Sequence, residues 1–195
     1  MRGDDEGLNG NITREQNKVR VELIPLKGLQ IGSKSDDKVQ FGQSKEAVKG
    51  ILGKSSTEHK NQWYYDELEI RIDFDENNCV EFMEVLAGPY CKKIEPFIYG
   101  KNPFELVDTQ LLEFLTEMNN GSIDGHGAVH GYSFLNISVG IWRDMTSKDF
   151  EEMIHEVKEA GNYDLWKEEL EANLERAKYF RTIGIGVKGY YGESI

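Results

Sequence analysis

From Leu68 onward the apolar positions alternate strictly, with Leu68, Ile70, Ile72 and Phe74 set against Glu69, Arg71 and Asp73. That two-residue period predicts a strand with one buried face. Asp75-Glu76-Asn77-Asn78 supplies turn formers that tolerate left-handed geometry, and Val80 and Phe82 resume the apolar period on a return strand. Beyond Phe82 the apolar places fall to Met83, Val85 and Ala87, a change of phase that predicts a β-bulge near Met83 or Glu84. Trp63 to Gly88 therefore reads as a β-hairpin, half core and half acidic display.

The rest of the chain arranges itself around this hairpin. Val19, Val21 and Leu23, with Leu26, alternate with charged residues into a first strand, and Ile31 to Gly42 is a polar connector carrying Val39 and Phe41. Ser44 is placed to cap a short helix with Ala47, Val48, Ile51 and Leu52 inward and Gly53 just past its end. Lys54 to Lys60 reads as a loop. Asn102-Pro103-Phe104-Glu105 predicts a helix start with a capping box, and Phe104, Val107, Leu111, Leu115 and Met118 make its buried stripe before Asn119-Asn120-Gly121 ends it. A Gly-rich turn, Ser122 to Gly131, leads to a strand in which Ile137, Val139 and Ile141 alternate against Ser138 and Gly140. Thr146-Ser147-Lys148-Asp149 opens another helix, Gly161-Asn162 breaks it, and a further helix runs through Trp166, Leu170, Leu174 and Ala177. Thr182 to Tyr191 alternates Ile183, Ile185 and Val187 with Gly184, Gly186 and Lys188, a late strand whose glycines let another element approach closely.

These elements define an α+β fold: a twisted antiparallel sheet with helices packed on one face. Residues 1–17, almost without apolar content, read as a disordered tail ahead of a domain spanning 18–195. Phe41-Gly42-Gln43-Ser44 ahead of Val48 compares with Tyr99-Gly100-Lys101-Asn102 ahead of Leu106, which leaves open two tandem helix-plus-sheet units, 18–99 and 100–195.

Composition narrows the function classes. A net charge of −12 over 195 residues argues against a nucleic-acid partner, which demands a basic surface. No apolar run has the length of a membrane span and the N-terminus carries no secretory or lipoprotein signal, so a cytoplasmic protein with no membrane partner is expected. Cys79 and Cys91 then stay reduced, and they show no metal-ligand spacing.

Phe41-Gly42-Gln43-Ser44-Lys45-Glu46-Ala47-Val48, with Ile51-Leu52-Gly53, resembles the opening of BamE-like (SmpA/OmlA) lipoprotein domains, which place such a helix before an antiparallel sheet. The resemblance covers that helix and its flank; without the lipoprotein signal it implies nothing about outer-membrane assembly. Tandem copies of a similar unit build the fold of β-lactamase inhibitory protein, an analogy of fold alone. The Phe41-Gly42 helix start, the strand ending Ile72-Asp73-Phe74-Asp75, Val139-Gly140-Ile141-Trp142-Arg143 and Thr182-Ile183-Gly184-Ile185-Gly186-Val187 together are similar to small acidic immunity proteins encoded beside bacterial polymorphic toxins. That resemblance implies a protein that occludes a cognate, basic toxin and catalyses nothing.

The residues themselves point the same way. Trp63, Tyr64 and Tyr65 are three successive aromatics in an alternating strand, so they cannot all face one core and at least one is exposed. With Glu67, Glu69, Asp73, Asp75, Glu76 and Glu81 they compose an aromatic and acidic surface suited to anchor a basic partner. Trp142 and Trp166 sit at core-period positions and read as packing. No catalytic residue, metal ligand or cofactor site is expected. The rival reading is a small metal-dependent hydrolase or nucleotide-handling enzyme using His126, His130 and nearby carboxylates, although the Gly-rich turn that holds them imposes no ligand geometry. A third is a scaffolding domain. Gly184-Ile185-Gly186-Val187-Lys188-Gly189 matches the dinucleotide fingerprint in letters only, because a helix precedes it and the required helix does not follow.

Overall fold

The computed structural model describes residues 18–33, 37–125 and 129–192. The expected N-terminal tail and His126 lie outside the described residues. In chain order the elements are β1 (Val19–Ile24), β2 (Gly28–Ile31), β3 (Lys38–Gln40), α1 (Lys45–Leu52), β4 (Thr57–His59), β5 (Gln62–Tyr65), β6 (Ile70–Phe74), β7 (Val80–Val85), β8 (Ile94–Ile98), α2 (Asp108–Asn119), β9 (Ile123–Asp124), β10 (Gly131–Phe134), β11 (Val139–Trp142), α3 (Ser147–Glu159), α4 (Tyr163–Arg176) and β12 (Thr182–Gly186). The fold is α+β and rich in antiparallel pairing. No helix among the described residues is long and apolar enough to cross a membrane.

The strands divide between two sheets rather than one. Eight form an antiparallel sheet in the order β4-β5-β6-β7-β12-β11-β10-β9; the other four are ordered β3-β2-β1-β8. Every strand before residue 99 in the large sheet lies on one side of the β7·β12 junction, and every later one lies on the other. Gly42 and Gly100, matched in the sequence comparison, share a left-handed backbone with φ of 79° and 76°. The parallel pairing of β1 with β8 departs from the antiparallel expectation. Ile94-Glu95-Pro96-Phe97-Ile98 carries a proline in its middle, which weakens the strand signal of its alternation.

One apolar cluster joins both sheets. Val21, Leu23, Leu29 and Ile94 from the small sheet meet Ile70, Ile72, Met83, Val85, Val139 and Ile185 from the large one, closed by Val48 of α1 and by Leu111, Phe114 and Leu115 of α2. Local chemistry starts and stops the helices where sequence suggested, with one shift. The Ser44 hydroxyl accepts from the Ala47 N–H at 3.3 Å, and Gly53 closes α1 with φ of 79°. Thr146 and Asp149 form the reciprocal capping box of α3. Asn102-Pro103, in contrast, opens only a 3₁₀ turn through Glu105; Leu106 and Val107 are extended, and α2 proper begins at Asp108.

The bulge lies earlier than expected. Asp73 pairs with Phe82 and Phe74 with Val80, leaving Glu81 as the extra residue. Its effect is to reverse the facing of the strand: Val80, Met83 and Val85 enter the core, and Phe82 goes to the opposite face.

The α3–α4 hairpin stands apart from the main cluster. Ile154, Leu170 and Ala177 are its buried apolar side chains, and it carries ten acidic against four basic residues from Ser147 to Arg176. Trp166 and Leu165 are exposed, as is Trp142, so the core positions expected of Trp142 and Trp166 are corrected here. Trp166 lies on the same stripe as Leu170, one turn before it, but Asp164 to Glu169 are all exposed and burial in α4 begins only at Leu170. Trp142, the last residue of β11, alternates away from buried Ile141.

Candidate functional site

Pairing registers carry a single row of side chains across all eight strands of the large sheet: Thr57, Tyr64, Arg71, Glu84, Gly184, Gly140, Ser133 and Asp124. Because facing alternates along each strand, this row marks the side opposite the core. A second row on that side runs Gln62, Asp73, Phe82 and Gly186, and a third places Trp142 beside Gly131 and Thr182. No helix covers this face among the residues described. Its one cover is the turn after β12, where Tyr190 stacks on Phe82 at 4.7 Å and Tyr191 meets the same ring edge-on at 6.2 Å.

That cover explains the glycines. A Cβ at Gly184 would come within 2.5 Å of the Phe82 ring, and one at Gly186 within 2.5 Å of the Tyr190 Cβ; one at Gly140 would overlap the Tyr191 hydroxyl. The close approach expected from Gly184 and Gly186 is therefore made by the Phe82 ring at the first and by Tyr190 at the second. Beside it lies an open trough of about 360 Å³, floored by Gly131, Ser133 and Gly140 and bordered by Trp142, His130, Glu84 and Tyr190. Trp142 is 46% exposed and Tyr190 39%.

At the centre of the face Arg71 joins two carboxylates, Asp73 at 2.9 Å and Glu84 at 3.1 Å. Burial works against the guanidinium charge, yet Glu84 and Asp73 more than offset it, so the Arg71 pKa is raised. Glu81 is pushed up by burial and by Asp75 and Asp73. Tyr190 is pushed up to about 12, chiefly by burial and then by Asp73 and Glu81, and Tyr191 well above its ordinary value by burial and Glu84. Both hydroxyls stay protonated at neutral pH.

Of the nine residues that sequence assigned to a partner-binding surface, the structure gathers few. Trp63 and Tyr65 are core residues: they pair with Ile72 and Ile70, and Trp63 packs edge-on against Phe74 at 4.9 Å. Tyr64, on the alternate side, is the partly exposed member of the three. Glu69 is spent on structure, its carboxylate accepting from the backbone N–H groups of Lys92 and Lys93. Glu67 pairs with Lys93 at 2.8 Å, and Asp75 accepts from the N–H groups of Asn77 and Cys79 to close its own turn. Asp73 is buried between Arg71 and Gln62. Glu76 is exposed at the hairpin tip and Glu81 half-buried at the bulge. The acids thus scatter over both ends of the hairpin, because carboxylates next to turns find backbone donors before they find a partner.

Among the described residues no group of three His, Cys, Asp or Glu side chains could hold a metal ion. His130 borders the trough, but its proposed companion His126 lies outside the described residues. Burial and Glu69 push the Cys91 thiol up to about 12, which removes it as a nucleophile. His155 pairs with Glu159 on the exposed side of α3. Sequence reasoning missed Trp142, Tyr190 and the trough between them; the alternation of Trp142 against Ile141 was the available signal.

The fold and this face define an α+β protein with one side of a wide antiparallel sheet left open to solvent. In comparisons with known proteins, the chain matches no family model, no curated protein and no solved structure.

Proposed function

We propose that the chain is a binding protein that performs no reaction, and that its partner is a cognate, basic bacterial toxin whose active site it occludes in the cytoplasm, as the resemblance to immunity proteins implies. The observation that carries the reading is the face of the eight-stranded sheet opposite the core, where Tyr64, Trp142 and Tyr190 stand as partly exposed rings around fixed charges. Rings of this kind make interface anchors, since they cover much area with few rotatable bonds. The net charge of −12 adds long-range attraction for a cationic partner. The surface differs from the hairpin acids named by sequence: it lies over the sheet, and Tyr64, Asp73 and Glu81 are the members kept at or beside it.

The reading requires a secreted toxin encoded directly upstream, and the test is co-expression with it. Relief of toxicity and a tight complex are expected, with Trp142→Ala and Tyr190→Ala each weakening binding by about 2 kcal/mol while leaving the circular dichroism spectrum unchanged. Undiminished killing would reject the immunity function; full-strength binding by both variants would reject the surface.

A further inference from the structure

We infer that the cleft between the α3–α4 hairpin and the large sheet binds a small phosphomonoester carrying an apolar body. The inference goes beyond the partner-binding reading and does not rest on it. Three guanidinium groups converge on this cleft of about 320 Å³: Arg143 from the end of β11, Arg176 from the last turn of α4 and Arg181 from the residue before β12. Three separate segments contribute them, in a chain whose overall charge is −12. Asp144 is the one carboxylate lining the cleft, where it pairs with Arg181.

The three arginines are held by different means. Arg143 is anchored by Asp108 at 2.8 Å, and it donates to the Ala177 carbonyl at 3.3 Å, which answers the negative end of α4. Arg176 lies over the Tyr90 ring at 4.5 Å and donates to Asn173 at 3.3 Å; among the described residues no carboxylate lies within ion-pairing distance of it. With Asp108 paired to Arg143 and Asp144 to Arg181, the cleft keeps one uncompensated positive charge among the described residues, that of Arg176. Planar guanidinium forks suit phosphate oxygens, and three forks from three segments offer donors to all three terminal oxygens of a phosphate, one more than a carboxylate has. Tyr90, Met145 and Phe150 supply apolar wall beside the arginines. The volume lies at the lower end of the roughly 300–1,000 Å³ usual for small-molecule sites, enough for one ring and its phosphate. A ligand here would touch both the hairpin and the sheet, which otherwise share few contacts.

The experiment is calorimetric titration of the full chain, at low ionic strength, with phenyl phosphate, inorganic phosphate and benzoate. Expected is saturable binding of phenyl phosphate with a dissociation constant below about 1 mM, weakened about tenfold or more by Arg176→Gln and by Arg181→Gln. Inorganic phosphate, which lacks the apolar body, and benzoate, which offers two acceptor oxygens rather than three, should both bind more weakly. Absence of saturation up to about 10 mM, unchanged affinity in either variant, or tighter binding of benzoate or inorganic phosphate would each overturn the inference.

Discussion

Replacing Arg71 by Met tests whether the ion triad at the centre of the open face holds the sheet together or merely decorates it. The three side chains are 23%, 11% and 14% exposed for Arg71, Asp73 and Glu84, so water screens them only in part. At about 3 Å and an effective dielectric of about 20, each contact has a gross attraction of roughly 5 kcal/mol, most of it cancelled by desolvation. Methionine keeps an apolar stem but removes the guanidinium, with its charge and its place over the Phe82 ring, which leaves two largely buried carboxylates on diagonal positions of β6 and β7. Orphaning buried charges costs about 3–5 kcal/mol, and the residual exposure places the expected loss near the lower bound, about 3 kcal/mol. Against a total stability of roughly 5–15 kcal/mol the variant still folds. Urea unfolding followed by tryptophan fluorescence measures the loss at pH 7. The triple variant Arg71→Met, Asp73→Asn, Glu84→Gln should recover most of it, because no charge is then left unpaired. Acidification should narrow the gap as well, since protons neutralise the orphaned carboxylates. A loss below about 1 kcal/mol, or one that neither acid nor the triple variant relieves, would show that Arg71 acts by packing alone.

Other outcomes follow from single side chains. The Tyr65 hydroxyl is buried without a hydrogen-bond partner among the described residues, so Tyr65→Phe should stabilise the fold by about 1 kcal/mol; a clear loss of stability in the same urea assay would mean that the hydroxyl is satisfied in solution. Trp63→Ala should cost about 3–5 kcal/mol, whereas Glu76→Lys at the exposed hairpin tip should change stability by less than about 0.5 kcal/mol; equal effects would contradict the core placement of Trp63. Glu81 has a folded pKa raised by burial and by Asp75 and Asp73. Its share of stability is present below the unfolded value and lost as pH rises through the raised one. Glu81→Gln should therefore be the more stable protein at pH 7 and lose that advantage near pH 4, as thermal melts at the two pH values will show.

The pattern of apolar residues disclosed more of the elements than of their assembly. The alternation of Ile70, Ile72 and Phe74, the caps at Ser44 and Thr146, and the glycines that admit a close neighbour all act within a few residues, and each took the form expected. The division into two sheets and the β1·β8 parallel pair depend on contacts between distant segments, for which a single sequence carries no period. The candidate surface was the least legible part. Alternation placed Asp73 on the outer side and required one of the three aromatics there, but it did not tell that Arg71 and Gln62 would take up the Asp73 carboxylate or that backbone N–H groups would take up those of Glu69 and Asp75. A charge-reversal test at Asp73 and Asp75 would for that reason strike the fold before it reached any partner.

The position of β12 has a consequence for synthesis. This strand, at Thr182–Gly186, is the last of the described strands to leave the ribosome, yet it belongs in the middle of the eight, between β7 and β11. Until it arrives, the two flanking ribbons have bare edges, with Phe82, Gly184 and Gly140 not yet brought together beneath the tyrosines. Such edges recruit strands from neighbouring chains. A truncation that removed only the residues after Arg181 would thus turn a self-contained sheet into two sticky halves, and would surface as insoluble protein rather than as a milder version of the same molecule.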